Sequence, residues 1–367
     1  MTSVSDLDEI DTPALVVDLD VMEANLASMT KLVAANGVAL RPNVKGHKIP
    51  AFAWQQVRGG AAGITCQKLS EAEVMVDAGL PDVLVAVQVI GATKVDRLLR
   101  LARRARLTTV VDSLAGAEPI ARACAASGMT IDVLLEVDIG YHRCGVEPSE
   151  APSLARSIAR LPGLNLVGVM GYEGHLYDLS GKDAVEAAAR RSYELLTGVA
   201  GRLREDGIDV ARVSVGASAG TQAAVGVSGI TEVRAGSYLF NDRAQIQMGW
   251  AEPATCAATV MATVISVPTP VRAVTDAGAK ALTPTTLGET AGFGLVLGHE
   301  DAVLDRLSDE HGMISLGSAR NPFSVGDRVR IIPNSHTVVF NQFAEVHGVR
   351  KGRVEAVLPV AARAMMQ

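Results

Sequence analysis

Between residues 38 and 234, short apolar runs alternate with segments of helical periodicity, and this alternation constrains the fold more than any other feature. Strand-like runs fall at 38–43, 62–66, 82–88, 108–112, 132–137, 165–170, 211–216 and 230–234. Helix-like segments lie between them at about 49–58, 70–79, 92–105, 114–127, 149–161 and 182–206, with a short one near 219–226. Repeated βα units at this spacing require a parallel sheet, and eight of them predict a closed (β/α)8 TIM-type barrel. A doubly wound open sheet is the alternative, disfavoured because no GxGxxG follows the first strand.

Upstream, Thr12-Pro13 opens a further strand, Ala14 to Asp18, with Asp18 or Asp20 placed to cap a helix running to about Ala35. Beyond residue 250 helical periodicity stops. Ala258 to Val267, Ala273 to Gly278, Gly312 to Leu316, Asp327 to Ile332 and Arg353 to Leu358 read as strands of a C-terminal antiparallel β domain. The expected domains are therefore an N-terminal strand in 1–22 joined to the β domain, a barrel over 23–250 and the β domain over 251–367.

Of the 367 residues 48% are hydrophobic and 20% charged, with a net charge of −6, which argues against a nucleic-acid surface. No run of roughly 18 apolar residues predicts a membrane span. Neither does the N-terminus show the apolar centre of a signal peptide. Cys66, Cys124, Cys144 and Cys256 are scattered without CxxC spacing, which fits a reducing cytoplasm; Cys66 and Cys144 are read as buried, inert thiols.

In such barrels chemistry sits at the C-terminal strand ends. After the first strand comes Arg41-Pro42-Asn43-Val44-Lys45-Gly46-His47-Lys48. Lys45 is either a surface cation or a Schiff-base nucleophile whose basicity is lowered by burial or by a neighbouring cation, with Arg41, His47 and Lys48 nearest in sequence. After the seventh strand Gly216-Ala217-Ser218-Ala219-Gly220-Thr221 leads into a helix. That is a turn with a cap, or a backbone cradle for a phosphate. Gly236-Ser237 after the eighth strand adds donors at the neighbouring position. A lysine and a phosphate cradle on adjacent strands suit pyridoxal phosphate, with the lysine forming an imine. Tyr172 either covers such a cofactor or is a buried tyrosine with a satisfied hydroxyl. Arg143 either meets the cofactor or substrate, or pairs with Asp138 or Glu136. His299 reads as a surface residue.

With these positions assembled, the chain resembles the fold-type III pyridoxal-phosphate enzymes with an alanine-racemase-like barrel. Within them it is most similar to the group of D-threonine aldolases, 3-hydroxy-D-aspartate aldolases and D-serine dehydratases. The resemblance runs through Asp11-Thr12-Pro13-Ala14, Arg41-Pro42-x-x-Lys45-x-His47-Lys48, Gln67 to Glu73, Glu136-Val137-Asp138, Arg143 to Val146 and Gly216 to Thr221. It continues in Asp276-Ala277-Gly278, Asp309 to Gly312 and Pro359 to Arg363. It implies that Lys45, not Lys48, holds the cofactor, with Ser218, Gly220 and Thr221 in the phosphate cradle. Gln67, Arg143, Tyr172 and Tyr238 are implied near the cofactor or its phosphate, and a homodimer is implied as the assembly.

The resemblance also implies a divalent metal (Mn, Mg or Zn) on a His-x-Cys or His-x-Asp pair just after Pro-Asn. Here the stretch is Pro333-Asn334-Ser335-His336-Thr337-Val338. Ungapped, Ser335 and Thr337 take the ligand positions; shifted by one, His336 takes the first and Val338 the second. Either way a full pair is missing, leaving His336 as lone ligand or as base, with His47, His175, His311 and His347 as the helpers to test. The leading expectation is an aldolase-type lyase acting on a β-hydroxy-D-amino acid resembling D-threonine, with Lys45 and His336 as catalytic residues and a small amino acid as the partner. Dehydration of a D-serine-like substrate and amino-acid racemisation are the alternatives, the latter drawing its second acid/base from Tyr172, His175 or His336. A non-catalytic cofactor carrier is disfavoured by the C-terminal β domain.

Overall fold

The computed structural model describes residues 6–288, 290–317 and 321–367, and these fall into two compact units. One comprises Ser28–Lys45, Pro50–Gly236 and Met365–Gln367; the other comprises the chain up to Ala27, Gly46–Ile49 and Ser237–Ala364. In chain order the first strand is β1 (Ala14–Asp18), followed directly by α1 (Leu19–Ala35). Asp18 makes that junction, its Oδ1 accepting the amide of Val21 at 3.1 Å, as the sequence predicts for a cap.

The barrel unit carries β2 (Ala39–Leu40), β3 (Ile64–Cys66), β4 (Asp82–Gln88), β5 (Arg106–Val111), β6 (Ile131–Glu136), β7 (Leu164–Met170), β8 (Arg212–Val215) and β9 (Glu232–Val233). They form one eight-stranded sheet in the order β2-β9-β8-β7-β6-β5-β4-β3, and every pairing is parallel. The edges meet through a parallel bridge between Asn43 and Thr65. The amides of Thr65 and Ala62 donate to Pro42 O and Leu40 O, each at 2.8 Å. The sheet therefore closes as a barrel, and the open doubly wound alternative is not adopted. Helices α2 (Pro50–Arg58), α3 (Leu69–Asp77), α4 (Ala92–Ala102), α5 (Leu114–Ala126), α6 (Ala151–Ile158), α7 (Lys182–Glu205) and α8 (Thr221–Val225) connect the strands. In α4 the buried side chains Val95, Leu98, Leu99 and Leu101 share one face, the amphipathic stripe that its sequence spacing predicts. Inside the barrel Leu84, Ala86, Val110, Leu134 and Met170 form a buried apolar cluster. Alternate strand residues point inward, so this cluster becomes a floor at the strand ends.

The second unit contains α9 (Arg243–Gln247), β10 (Ala258–Thr269), β11 (Arg272–Thr275), β12 (Gly294–Val296), β13 (Val303–Leu307), β14 (Gly312–Ser315), β15 (Arg328–Pro333), α10 (His336–Phe340), β16 (Glu345–Arg350) and β17 (Arg353–Pro359). The long strand β10 is the spine. Its later half pairs with β11, and the order β11-β14-β13-β12-β15 returns to its earlier half, so these strands close on themselves. On its other side β10 pairs antiparallel with β1, and β1 pairs parallel with β16. Strands β12, β13 and β16 are not among the stretches expected from the sequence; β12, with three residues, is too short to show a period. Two motifs far apart in the chain meet here. Thr12 Oγ1 donates to Asp276 Oδ2 at 2.6 Å, while Asp276 Oδ1 accepts the amide of Thr263 at 2.8 Å. Gly278 is required at its position because a Cβ would lie 2.4 Å from the amide of His311.

Candidate active site

Lys45 lies in a single turn of 3-10 helix, Val44–Gly46, just past β2. Its amide donates to Asn43 Oδ1 at 3.1 Å, and Asn43 is the residue whose bridge to Thr65 closes the barrel. Closure of the barrel thus sets the backbone of the lysine. Lys45 is half-buried as a residue, with its amine in the interior 5.7 Å from the ring centre of Tyr172. Burial lowers its basicity, the nearby charge of Arg143 lowers it further, Glu71 opposes this, and Arg234 adds to the lowering. Arg41 is not among these cations. It is drawn away into ion pairs with Glu232 at 2.8 Å and Asp82 at 2.5 Å. His47 is buried and occupied locally, with Nδ1 accepting the amide of Ile49 at 3.0 Å.

Arg143 does not stand apart in a carboxylate pair. Its guanidinium lies over two rings, 4.9 Å from the centre of Tyr172 and 5.2 Å from that of Tyr141. Asp138 instead holds its own loop, accepting the amides of Gly140 and His142 and the Nδ1 proton of His142. A cavity at the strand ends is lined by Asn43, Gln67, Arg143, Tyr172, Gly216 and Arg234, over Ala86 and Met170 of the apolar floor. Gln67 Oε1 is buried there with no partner, an acceptor awaiting a donor. Arg234 is buried and fixed by Gly171 O and Ser214 Oγ at 2.8 and 2.7 Å.

The loop after β8 is anchored from beneath. Glu173 is completely buried; Oε1 accepts from Tyr193 Oη at 2.6 Å and Oε2 accepts the amide of Gly216 at 3.2 Å. Ala217 has φ +50°, a region that a side chain enters at a cost of about 1–3 kcal/mol and that tends to mark ligand sites. Ser218–Gly220 then form a 3-10 turn running into α8 at Thr221, and Ser218, Gly220 and Thr221 are all buried. Gly220 is fixed by chemistry: a Cβ would stand 2.0 Å from Tyr193 Oη. Gly236 packs equally tightly, a Cβ there falling 2.6 Å from Asn43 O. The barrel unit therefore brings together Lys45, Gln67, Arg143, Tyr172, the loop of Ser218, Gly220 and Thr221, and Gly236. His175, in the loop after Tyr172, has its Nδ1 buried without a partner, and burial lowers the basicity of its ring.

The remaining expected residues belong to the second unit. Ser237 and Tyr238 share the 3-10 turn Ser237–Leu239, with Tyr238 buried. His336 opens α10 and is fully buried between Phe240 and Phe340, at ring-centre distances of 5.8 and 6.2 Å. Its Nδ1 is 2.7 Å from Asp242 Oδ2, which also accepts the His336 amide at 3.0 Å. Its Nε2 has no partner and faces Gly46, where a Cβ would stand 3.0 Å away. Ser335 and Thr337 present hydroxyls, and among the described residues no group of three or more His, Cys, Asp and Glu side chains is arranged to hold a metal. This donor set does not fit a divalent transition metal, for which imidazole, thiolate and carboxylate are the effective ligands.

Sequence reasoning passed over Arg234, Glu173, Tyr193 and Asp242. Arg234 and Glu173 sit at strand ends, a usable signal. Tyr193 lies mid-helix and Asp242 in a loop, with nothing in their neighbourhoods to single them out. Cys144 is exposed rather than buried, whereas Cys66 is buried as expected, and His299 is half-buried against Phe323.

A closed parallel barrel with a depressed lysine at its strand ends, followed by an antiparallel β domain, is the architecture of a lysine-bearing alanine-racemase-type protein. The chain belongs to the alanine racemase N-terminal domain family, whose model matches residues 17–244, while residues 257–349 match a putative serine dehydratase domain. It is 35% identical to a D-threonine aldolase of Arthrobacter sp. over 97% of this chain and 94% of that one. The crystal structure of D-threonine aldolase from Filomicrobium marinum superposes with a TM-score of 0.92 at 35% identity, covering 98% of both chains. A cysteine mutant of D-threo-3-hydroxyaspartate dehydratase, solved in a metal-free form, superposes with a TM-score of 0.90 at 33% identity over 97% and 99% of the two chains.

Proposed function

We propose that this chain is a pyridoxal-phosphate-dependent lyase of the aldolase type. It would cleave the Cα–Cβ bond of a β-hydroxy-D-amino acid resembling D-threonine, giving an amino acid such as glycine and an aldehyde. The observation that carries the reaction type is the 35% identity to a D-threonine aldolase over nearly the full length of both chains. The site fits the cofactor on its own terms. Lys45 has a depressed basicity, the strained Ala217 turn leads into a loop of small and hydroxyl residues, and Gln67 Oε1 lacks a partner. Lys45, Gln67, Arg143, Tyr172, Ser218, Gly220, Thr221, Gly236, Ser237 and Tyr238 are the residues proposed to hold it. When bound, the cofactor supplies a sink for the electron pair released at the substrate Cα.

This chain's residues supply the rest. A depressed basicity keeps more of the Lys45 amine neutral, and only the neutral amine attacks a carbonyl carbon. Hydroxyls and amides of the Ser218–Thr221 loop receive the phosphate, while the Tyr172 ring covers the cavity beside Lys45. Arg143, already stacked on Tyr172, offers its guanidinium to a carboxylate. His336 Nε2 accepts the proton of the substrate's 3-hydroxyl, so that the oxygen becomes the aldehyde carbonyl as the Cα–Cβ bond breaks; a proton then returns to Cα. Homodimer assembly and a cytoplasmic location complete the proposal, supported by the family resemblance and by four cysteines that form no disulfide. No helix among the described residues is long and apolar enough to cross a membrane.

Dehydration is the second reading, favoured by the match to a serine dehydratase domain. Product analysis decides: D-threonine should yield glycine and acetaldehyde. A 2-oxo acid and ammonia from D-threonine or D-serine, with no glycine, would replace the aldolase reading by the dehydratase one. Purified protein should carry the visible absorbance of a lysine-bound cofactor, and Lys45→Ala should abolish it.

A further inference from the structure

The loop from Pro333 to Asn341 is where the family resemblance leads one to expect a metal-binding pair, and its local chemistry is specific. Asn334 is committed to structure, its Nδ2 donating to Thr285 O and Gly292 O, each at 2.9 Å. Ser335 and Thr337 flank His336 with hydroxyls, and the chain has no cysteine after Cys256. Asp242, the carboxylate that contacts His336 among the described residues, is spent on three donors: the His336 amide, its Nδ1 and the amide of Gln245 at 3.1 Å. It lies on the Nδ1 side of the ring, so it cannot share a metal with Nε2.

The same geometry fixes the ring proton. A carboxylate only accepts, so Nδ1 carries a proton, and in the neutral imidazole the lone pair then lies on Nε2. That atom is fully buried, has no partner and faces Gly46, the residue after Lys45 in the chain. Packing against Phe240 and Phe340 removes the freedom to turn away. We propose that this protein works without a divalent metal at this loop, and that Asp242 positions His336 so that neutral Nε2 takes the substrate hydroxyl's proton in the metal's stead. The second clause rests on the aldolase-type reading given above; the first does not. Since retro-aldol cleavage needs only a base at the hydroxyl, whereas dehydration needs activation of a leaving hydroxide, a metal-free site favours cleavage.

The test uses full-length holoenzyme before and after exhaustive dialysis against EDTA. Elemental analysis should find far less than one equivalent of Mn, Mg or Zn per chain, and cleavage should be unchanged within about twofold. A stoichiometric metal, or a loss beyond about tenfold that Mn²⁺ restores, would overturn the proposal. Installing the missing donor types with Ser335→His and Thr337→Cys should create metal uptake, read by the same elemental analysis; no uptake would overturn the explanation from donor chemistry. For the positioning role, ¹⁵N spectra of the histidine-labelled protein should show His336 protonated at Nδ1 alone; the Nε2-protonated tautomer would overturn it. Asp242→Asn should retain the cofactor absorbance and KM while kcat drops at least about tenfold, and a wild-type kcat would count against Asp242. If no β-hydroxy-D-amino acid is cleaved under any condition, the proposed reaction fails, yet metal content and the His336 tautomer still decide this inference.

Discussion

At the scale of single residues the balance of charge around one amine matters most. The cations nearest Lys45 in sequence, Arg41, His47 and Lys48, are not those that act on it. Arg41 is bound to Glu232 and Asp82, whereas Arg143 and Arg234 come from the loops after β6 and β9, far along the chain. Replacing Arg143 by Met removes the larger of the two cationic contributions, so the Lys45 pKa should rise. Lysine labelling of the cofactor-free protein across pH, followed by mass spectrometry at Lys45, measures this; a midpoint that stays or falls would show that burial alone sets the amine. His175 shows the limit of a residue-level reading. Its unpartnered Nδ1 is visible only in the folded chain, because the sequence gives no hint that Gly140 packs against its ring.

At the scale of elements the decisive contact is a carboxylate linking three of them. Glu173 follows β7, Tyr193 sits in α7 and Gly216 follows β8. Burial raises the Glu173 pKa, while the bonds from Tyr193 and Gly216 work against that rise. Tyr193→Phe should leave a buried acceptor short of a donor and destabilise the protein by about 1–3 kcal/mol in chemical denaturation. Gly220→Ala reaches the same contact from above, since its Cβ overlaps Tyr193 Oη. It should loosen the Ser218–Thr221 loop and weaken pyridoxal phosphate affinity by about tenfold, measured by equilibrium titration; unchanged affinity would mean that the loop does not carry the phosphate. The strand and helix identities of this region are legible in the sequence, because each element carries its own hydrophobic period. Its anchoring is not, because a Glu in a loop and a Tyr in a helix look ordinary until the barrel brings them within 2.6 Å.

For the whole molecule, the barrel is braced across its interior by Glu232 on β9. Burial alone would raise the Glu232 pKa, but Arg41 and Arg212, together with the Ser214 hydroxyl, hold it down to about 2 from an ordinary 4.5. A carboxylate depressed on folding contributes stability that is fully present above about pH 4.5 and drains away as pH falls toward 2. Glu232→Gln should therefore cost about 3 kcal/mol at neutral pH and flatten the acid limb of the stability curve. Denaturant titrations at pH 7 and pH 3 test it, and equal losses at both would exclude the linkage. If the proposed homodimer forms, sedimentation should give twice the mass of the 38.3 kDa chain at micromolar concentration.

By itself the sequence determined the class of fold, the boundary between helical and β texture, and Lys45 as the anchor candidate. These rest on local periodicity and on position along the chain, which no folding step is needed to read. Only the tertiary structure decided which cations lower the Lys45 amine, which carboxylate steadies the loop after β8, and how His336 is held. Those facts depend on pairs of residues such as His336 and Asp242, 94 positions apart, and contact across such a separation is set by closure of the sheets rather than by any local pattern.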